Sequence, residues 1–334
     1  MMFRPDTESG GTSRDVFDSI VSCVGRTPLV KLNRLFGDSG AEVLAKLELM
    51  NPGGSMKDRP ARYIIEQGLK DGSIHKGTHL IESTSGNLGI AISMIARVYG
   101  LTFTCVVDPK ITKTNLNIIR QLGANIEMVQ EPDDQGGYLK TRIRRVKELV
   151  ASIPNAFWIN QYANENNWKA YYYGTASELI EQAGGRIDYL VMAVSTTGSI
   201  LGTARRLREV NPDLKVIAVD AAGSVIFGAP PAPRELPGIG SSRVPELLKR
   251  DEIDEVVYVS DIESVRGCQA LLAAEGIFAG GSSGSVIAAL QKIVPKLPAG
   301  ARVATILPDR GERYLDSVYD EAWVQKLGQP VATA

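Results

Sequence analysis

One lysine of this sequence occupies an unusual position for its charge. Lys57 follows the turn Asn-Pro-Gly-Gly-Ser at 51–55 and precedes Pro60, a residue type that favours the first turn of a helix. A helix N-terminus disfavours a positive charge, so the pKa of this amine is expected to be low. An amine that loses its proton easily can act as a nucleophile or form an imine with an aldehyde. A surface lysine is the competing interpretation.

Three turns rich in Gly, Ser and Thr could hold an anion. They cover residues 83–89, 195–199 and 280–285, and each leads into a predicted helix. Backbone N–H groups and the positive end of a helix favour an anion at such turns, although Ser, Thr and Asn are also preferred helix caps. The motifs G-x-G-x-x-G and G-x-x-x-x-G-K-[ST] are both absent. A lysine amine combined with a phosphate site suggests pyridoxal 5′-phosphate (PLP), an aldehyde that is anchored by its phosphate.

These residues need a framework of strands and helices to position them. Strand-like runs alternate with amphipathic segments along the chain, which predicts an α/β fold with parallel sheets. Several runs are continuously apolar, as strands buried on both faces are. A Pro-rich loop at 227–245 is long enough to suggest a functional role. The predicted strands are 42–49, 79–84, 101–108, 125–130, 189–194, 214–221, 255–260 and 302–309.

Composition narrows the classes of function. The 334 residues include 37 Lys+Arg and 38 Asp+Glu, a balance that argues against nucleic acid and membrane surfaces as partners. No apolar stretch is long enough to span a bilayer, and the start of the chain lacks the apolar core of a signal peptide. We therefore expect a cytoplasmic protein of roughly two domains with a disordered tail at 1–14. Two histidines and three dispersed cysteines predict no metal site.

An ordered series of sequence blocks resembles one enzyme family. The sequence is similar to fold-type II PLP enzymes of the cysteine synthase and cystathionine β-synthase group over residues 17–320. The resemblance implies a tryptophan synthase β-like fold, with PLP in the cleft between two α/β domains, and a homodimer. The small mobile domain is expected at 51–161, and the large one at 15–50 plus 162–325. The blocks are VGRTPLVKL (24–32), NPGGSMKDRPA (51–61), STSGNLGIA (83–91), STTGSILG (195–202), GIGSSRVP (238–245), EGIFAGGSSGS (275–285) and LPDRGERYLD (307–316).

The same resemblance implies roles for residues around the cofactor. Lys57 matches the lysine that forms a Schiff base with PLP, and Asn87 matches the asparagine that donates a hydrogen bond to its 3′-oxygen. Ser282 matches the serine that faces the pyridine nitrogen. A neutral hydroxyl there leaves the nitrogen largely unprotonated, which favours β-elimination over transamination. The residues of the phosphate loop are Ser195, Thr196, Thr197, Gly198 and Ser199.

Further residues are implied for the amino acid substrates. Tyr162 is either a wall of the substrate pocket or an ordinary buried aromatic residue. A phosphorylated donor needs an arginine, whose fork can bind two phosphate oxygens. The leading candidate is Arg243 in the long loop. The others are Arg234 in the same loop and Arg142, for which a solvated helix face is the competing interpretation. The residues that match the site for the α-carboxylate are Thr84, Ser85, Gly86 and Gln161.

Departures from the cysteine synthases point to a sub-family. Ser195 and Thr197 stand where glycine is usual, Leu88 replaces a common threonine, and the loop at 227–243 differs. The sequence most resembles the N-(2-amino-2-carboxyethyl)-L-glutamate synthases of siderophore (staphyloferrin B type) biosynthesis. That resemblance implies that O-phospho-L-serine and L-glutamate are joined through an aminoacrylate, with release of phosphate, to give a precursor of 2,3-diaminopropionate. The alternatives are a cysteine synthase, which uses sulfide with O-acetylserine or O-phosphoserine, and a PLP-binding regulatory paralogue.

Overall fold

The computed structural model describes residues 16–133 and 137–327. The tail predicted at 1–14 lies outside these residues. The strands are β1 Leu29–Lys31, β2 Glu42–Leu47, β3 His79–Ser83, β4 Thr102–Val107, β5 Asn125–Met128, β6 Ala156–Trp158, β7 Tyr189–Ala193, β8 Lys215–Ala221, β9 Glu255–Val259 and β10 Arg302–Leu307. The helices are α1 Asn33–Phe36, α2 Asp58–Asp71, α3 Asn87–Tyr99, α4 Lys113–Gln121, α5 Leu139–Ser152, α6 Asn166–Ala170, α7 Ser177–Ala183, α8 Gly198–Val210, α9 Asp261–Glu275, α10 Gly281–Ile293 and α11 Glu321–Leu327.

The strands form two sheets. One has six strands in the order β1-β2-β10-β7-β8-β9, and the other has four in the order β5-β4-β3-β6. All neighbours pair in parallel except β1 and β2. The predicted α/β fold with parallel sheets is confirmed. The four-stranded sheet lies within the segment predicted as the small mobile domain, and the domain bounds themselves stay a prediction.

The continuous apolar runs are explained by burial on both faces of each sheet. Neighbouring residues of β10 illustrate this, because Val303 packs into the core on one face of the six-stranded sheet and Ala304 into the core on the other. In β3 of the smaller sheet, Leu80 and Ile81 divide between two cores in the same way. Helices therefore cover both faces, as parallel sheets require. In the part of the chain described, no helix is long and apolar enough to cross a membrane.

The helices begin where the parallel strands end, and this places the predicted turns together. Residues 84–86 join β3 to α3, and residues 194–197 join β7 to α8. A π-helical turn at Tyr171–Ala176 links α6 to α7 in one continuous helix. Such turns are rare and occur often at functional sites. Here the Tyr171 hydroxyl donates a hydrogen bond to the carbonyl of Met56, next to Lys57, at 3.3 Å.

Candidate active site

Lys57 lies at the start of α2 and is partly buried. Its loop is fixed to the end of β10, since the backbone N–H of Met56 donates to the carbonyl of Pro308 at 2.8 Å. Burial lowers the pKa of Lys57 to about 8, while the charge of Glu82 opposes this shift. The direction agrees with the sequence prediction. Burial is the principal cause, however, whereas the prediction relied on the helix end.

Glu82 is a buried carboxyl group that sequence reasoning missed. It lies in β3 with 1% of its surface exposed, and burial raises its pKa to about 7. The backbone N–H groups of Ser83 and Gln161 donate to its two oxygens at 2.7 and 3.1 Å. A charged residue inside the apolar strand HLIES was the available signal, because a buried charge needs partners.

The loop at 195–199 has the features of a phosphate site. Thr197 has a left-handed φ of 62° and precedes α8, a helix of 13 residues. A Cβ on Gly198 would lie 2.8 Å from the side chain of Asn167, so a larger residue there would displace this asparagine. The Thr197 hydroxyl is buried and has no hydrogen-bond partner among residues 16–133 and 137–327. A tight turn, a helix N-terminus and an unpaired hydroxyl together suit a phosphate group.

Asn87, Ser282 and Lys57 are all linked to one segment after β10, which also binds the Lys57 loop through Pro308. Asn87 begins α3 and donates from Nδ2 to Asp309 Oδ2 at 2.7 Å. The backbone N–H of Gly280, just before α10, donates to the carbonyl of Asp309 at 3.0 Å. Ser282 lies in the first turn of α10 and is 3% exposed. The three residues predicted to contact the cofactor ring therefore belong to one connected region.

A cleft of about 570 Å³ opens beside these residues. It is lined from both sheets, because Ser85 and Asn87 follow β3 whereas Ser195 follows β7. Lys57 and Ser282 do not line this cleft. The predicted residues that line it are Ser85, Gly86, Asn87, Arg142, Tyr162, Ser195 and Arg234.

The remaining residues predicted for the α-carboxylate lie behind this cleft. Thr84 is buried, and its carbonyl accepts a hydrogen bond from Cys105 Sγ at 3.0 Å. Gln161 contacts the end of β3, where its Nε2 donates to the carbonyl of Ser83 at 3.4 Å. Both residues support the loop at 84–86.

The predicted arginines occupy different places. Arg142 lines the cleft with 14% of its side chain exposed, and its Nε lies 3.1 Å from Asp108 Oδ2. It therefore does not belong to a solvated helix face. Arg243 does not line the cleft. Its guanidinium pairs with Glu246 and lies 5.0 Å from the ring centre of Tyr162, a wall of the cleft.

A buried network of charges anchors the helix that carries Lys57. Arg59 is 5% exposed and binds Glu48 through two hydrogen bonds of 2.7 Å. It also binds Glu178 of α7 at 2.6 and 2.8 Å. Lys46 Nζ lies 2.6 Å from the same Glu178 carboxylate. Burial alone would raise the pKa of Glu178, but Arg59 and Lys46 outweigh it and lower this pKa to about 2.

A lysine with a lowered pKa, a turn that suits an anion and a cleft lined from both sheets are features that a PLP-dependent enzyme needs. A family model described as pyridoxal-phosphate dependent enzyme matches residues 20–309. The chain belongs to this family. The residues present fit the cofactor, since the unpaired hydroxyl and glycine turn at 197–198 suit its phosphate and Lys57 its aldehyde.

Solved structures of related enzymes have the same fold. An O-acetylserine dependent cystathionine β-synthase from Helicobacter pylori is 35% identical with a TM-score of 0.85, over 91% of this chain and 99% of that chain. An O-ureido-L-serine synthase is 32% identical with a TM-score of 0.85, over 93% and 99%. A hydrogen sulfide-producing enzyme from Fusobacterium nucleatum is 31% identical with a TM-score of 0.84, over 90% and 100%. This chain is accordingly a PLP-dependent enzyme of fold type II.

Proposed function

We propose that the chain joins O-phospho-L-serine to L-glutamate and releases phosphate, giving N-(2-amino-2-carboxyethyl)-L-glutamate. The observation that carries this proposal is the size and charge of the cleft. A volume of about 570 Å³ accommodates substrates with several carboxylates. A sulfide ion is a single heavy atom and needs neither this volume nor a set of cations.

Four cationic side chains line the cleft: Lys110, Arg142, Arg234 and Arg313. Within the described ranges, Arg142 is the member of this set that pairs with a carboxylate, Asp108. Three carboxylates line the cleft as well: Asp108 is buried beside Arg142, whereas Glu235 and Asp316 are exposed. The cleft therefore offers charge-assisted hydrogen bonds to a phosphate and to the carboxylates of an acceptor.

The positions of the arginines support Arg142 as the residue that binds the donor phosphate. Its Nη1 lies 3.5 Å from the hydroxyl of Ser85, a residue predicted to bind the α-carboxylate of the same donor. Arg243 is held by Glu246 behind Tyr162, so it acts on the cleft through that ring. We therefore assign the leaving phosphate to Arg142 and a supporting role to Arg243.

The chain's own residues supply the proton transfers. PLP, when bound, withdraws electrons from Cα of the donor and so makes its proton acidic. The pKa of Lys57 is lowered to about 8 by burial, so more of its amine is unprotonated near neutral pH than in an exposed lysine. Lys57 then takes the proton from Cα, Arg142 stabilises the departing phosphate, and Lys57 returns the proton after glutamate has added at Cβ. A proton returned from one fixed side preserves the L configuration.

A cysteine synthase activity is the second candidate. It is supported by the similar structures, which include an O-acetylserine dependent cystathionine β-synthase and a hydrogen sulfide-producing enzyme. The homodimer, the cytoplasmic location and the siderophore pathway remain predictions from the sequence.

The test is mass analysis of products from four mixtures that combine O-phosphoserine or O-acetylserine with glutamate or sulfide. We expect the joined product and free phosphate from O-phosphoserine with glutamate. Cysteine formed from O-acetylserine and sulfide, with O-phosphoserine left unused, would instead establish the cysteine synthase. The Lys57→Ala variant is the control, since it removes the base from every mixture.

A further inference from the structure

The side-chain amide of Asn87 is held at both of its ends. Its Nδ2 donates to Asp309 Oδ2 at 2.7 Å, and its Oδ1 accepts a hydrogen bond from Arg313 Nη1. An asparagine amide carries two N–H groups. One of them is used by Asp309, so the second remains for a ligand in the cleft that Asn87 lines. Two partners of opposite charge thus fix which end of the amide is the donor.

Asp309 is itself fixed by the segments around the site. It is 1% exposed and lies two residues after the end of β10. It forms a β-bridge with Ser55, and the hydroxyl of Tyr314 donates to its Oδ2 at 2.7 Å. A Cβ on Gly280 would lie 2.2 Å from Asp309 Oδ1, so the chain before α10 closes over this carboxylate. Asp309 therefore has little freedom to move away from Asn87.

Arg313 joins the same amide to the loop that carries Lys57. Its Nη1 donates to Asn87 Oδ1, and its Nη2 donates to the carbonyl of Gly53. Gly53 in turn donates from its backbone N–H to Asp58 Oδ2 at 2.5 Å, one residue after Lys57. Asn87 follows β3 of the four-stranded sheet, whereas Arg313 follows β10 of the six-stranded sheet. One guanidinium thus ties the two sides of the cleft at the level of Lys57.

We propose that Asp309 and Arg313 are positioning residues that clamp the Asn87 amide with one N–H directed to the cofactor. The inference rests on the predicted contact between Asn87 and the 3′-oxygen of PLP. Asp309 accepts from Nδ2, and Arg313 donates to Oδ1. If the amide rotated by half a turn, its oxygen would face the Asp309 carboxylate and its NH₂ group would face the Arg313 guanidinium. The wrong orientation loses both charge-assisted hydrogen bonds.

The test uses the visible absorbance of bound PLP and the affinity of the cofactor-free protein for PLP. The variants are Asn87→Ala, Arg313→Met, Asp309→Asn and the double variant of Asn87→Ala with Arg313→Met. Arg310→Met is the matched control. It removes an exposed guanidinium from the same segment, and that guanidinium donates to the carbonyl of Leu49 and not to Asn87. Arg313 is partly exposed, so the Arg313→Met variant is expected to fold even if the variant of the buried Asp309 does not.

We expect Arg313→Met to shift the absorbance in the same direction as Asn87→Ala. PLP binding should weaken by about 10- to 150-fold, the scale of one hydrogen bond to a charged group. In the Asn87→Ala background, Arg313→Met should have no further effect on the absorbance, because the clamp acts through Asn87. An Arg313→Met spectrum that equals wild type, or an equal shift in both backgrounds, overturns the clamp. If Asn87→Ala itself has the wild-type spectrum, both the clamp and the predicted role of Asn87 are overturned. The resting spectrum is measured without substrates, so these outcomes are independent of whether the proposed donor and acceptor are correct.

Discussion

Arg59 allows a quantitative test of how the Lys57 helix is anchored. Replacing Arg59 by methionine keeps most of the stem of the side chain and removes the guanidinium. Glu48, which is 0% exposed, then loses its cationic partner, and Glu178 keeps Lys46 alone. Removing one partner of a buried ion pair costs about 3–5 kcal/mol, because the remaining charge stays buried without compensation.

This cost converts to a change in melting temperature. About 2.1 cal/mol/K per residue gives an unfolding entropy of about 0.7 kcal/mol/K for 334 residues. A loss of about 3–5 kcal/mol therefore lowers Tm by about 4–7 °C. The measurement is calorimetry or circular dichroism on the cofactor-free protein, so that PLP binding does not contribute to Tm.

Arg62→Met is the matched control on the same helix. Arg62 pairs with Glu66 at 2.9 Å, and the two side chains are 31% and 32% exposed. Exposed pairs contribute about 0.2–1 kcal/mol, so Tm should fall by about 1 °C. A drop for Arg59→Met no larger than that for Arg62→Met would refute the reasoning that the buried network anchors α2.

Three further predictions concern the cleft and the cofactor site. Arg142→Met should reduce kcat/KM for O-phosphoserine by about 10- to 150-fold, the range for a hydrogen bond to a charged group. Arg243→Met should reduce it by much less. Steady-state assays on both variants measure the two reductions, and a larger loss for Arg243→Met would contradict the assignment of Arg142. Gly198→Ala should weaken PLP binding about tenfold, as for one lost hydrogen bond, because the added Cβ forces Asn167 to move. Titration of the cofactor-free protein with PLP measures this affinity. An unchanged affinity would count against a phosphate site at residues 195–199. Glu82→Gln should lower the pKa of Lys57 below about 8, because the Glu82 carboxylate stabilises the charged amine and the variant lacks it. The pH dependence of the reaction between Lys57 and PLP measures this pKa. An upward shift, or none, would be inconsistent with this electrostatic role.

The sequence predicts the strands of four or more residues and misses the two strands of three residues. Each of the eight predicted strands is present. The inner ones carry apolar residues that both faces of a sheet bury, whereas the edge strands β5 and β9 are mostly half-buried or exposed. The strands β1 and β6 are not predicted from the sequence. Each has three residues, lies at an edge of its sheet and contains no fully buried residue. Such strands leave no alternation or apolar run long enough to recognise.

The site residues also differ in how well the sequence predicts them. Lys57 and the phosphate loop have local signals, since a helix start and a glycine turn are visible in a few residues. The partners of Asn87 have none, because Asp309 is 222 residues away along the chain. Asp309 and Arg313 both stand in the block LPDRGERYLD, which supports the family resemblance without indicating their contacts. The place of Arg142 in the cleft also depends on the way α5 packs, which the sequence RIRRVK does not reveal.

The most direct test of the proposed reaction is to follow nitrogen from labelled acceptor into product. Unlabelled O-phosphoserine and ¹⁵N-glutamate are incubated with the PLP-loaded enzyme, and the product is examined by mass spectrometry and NMR. The proposed reaction predicts one product in which the labelled nitrogen is bonded to both the glutamate Cα and the Cβ from the donor, with one phosphate released per product. Release of phosphate without any labelled product, together with rapid formation of cysteine when sulfide is supplied, would contradict it.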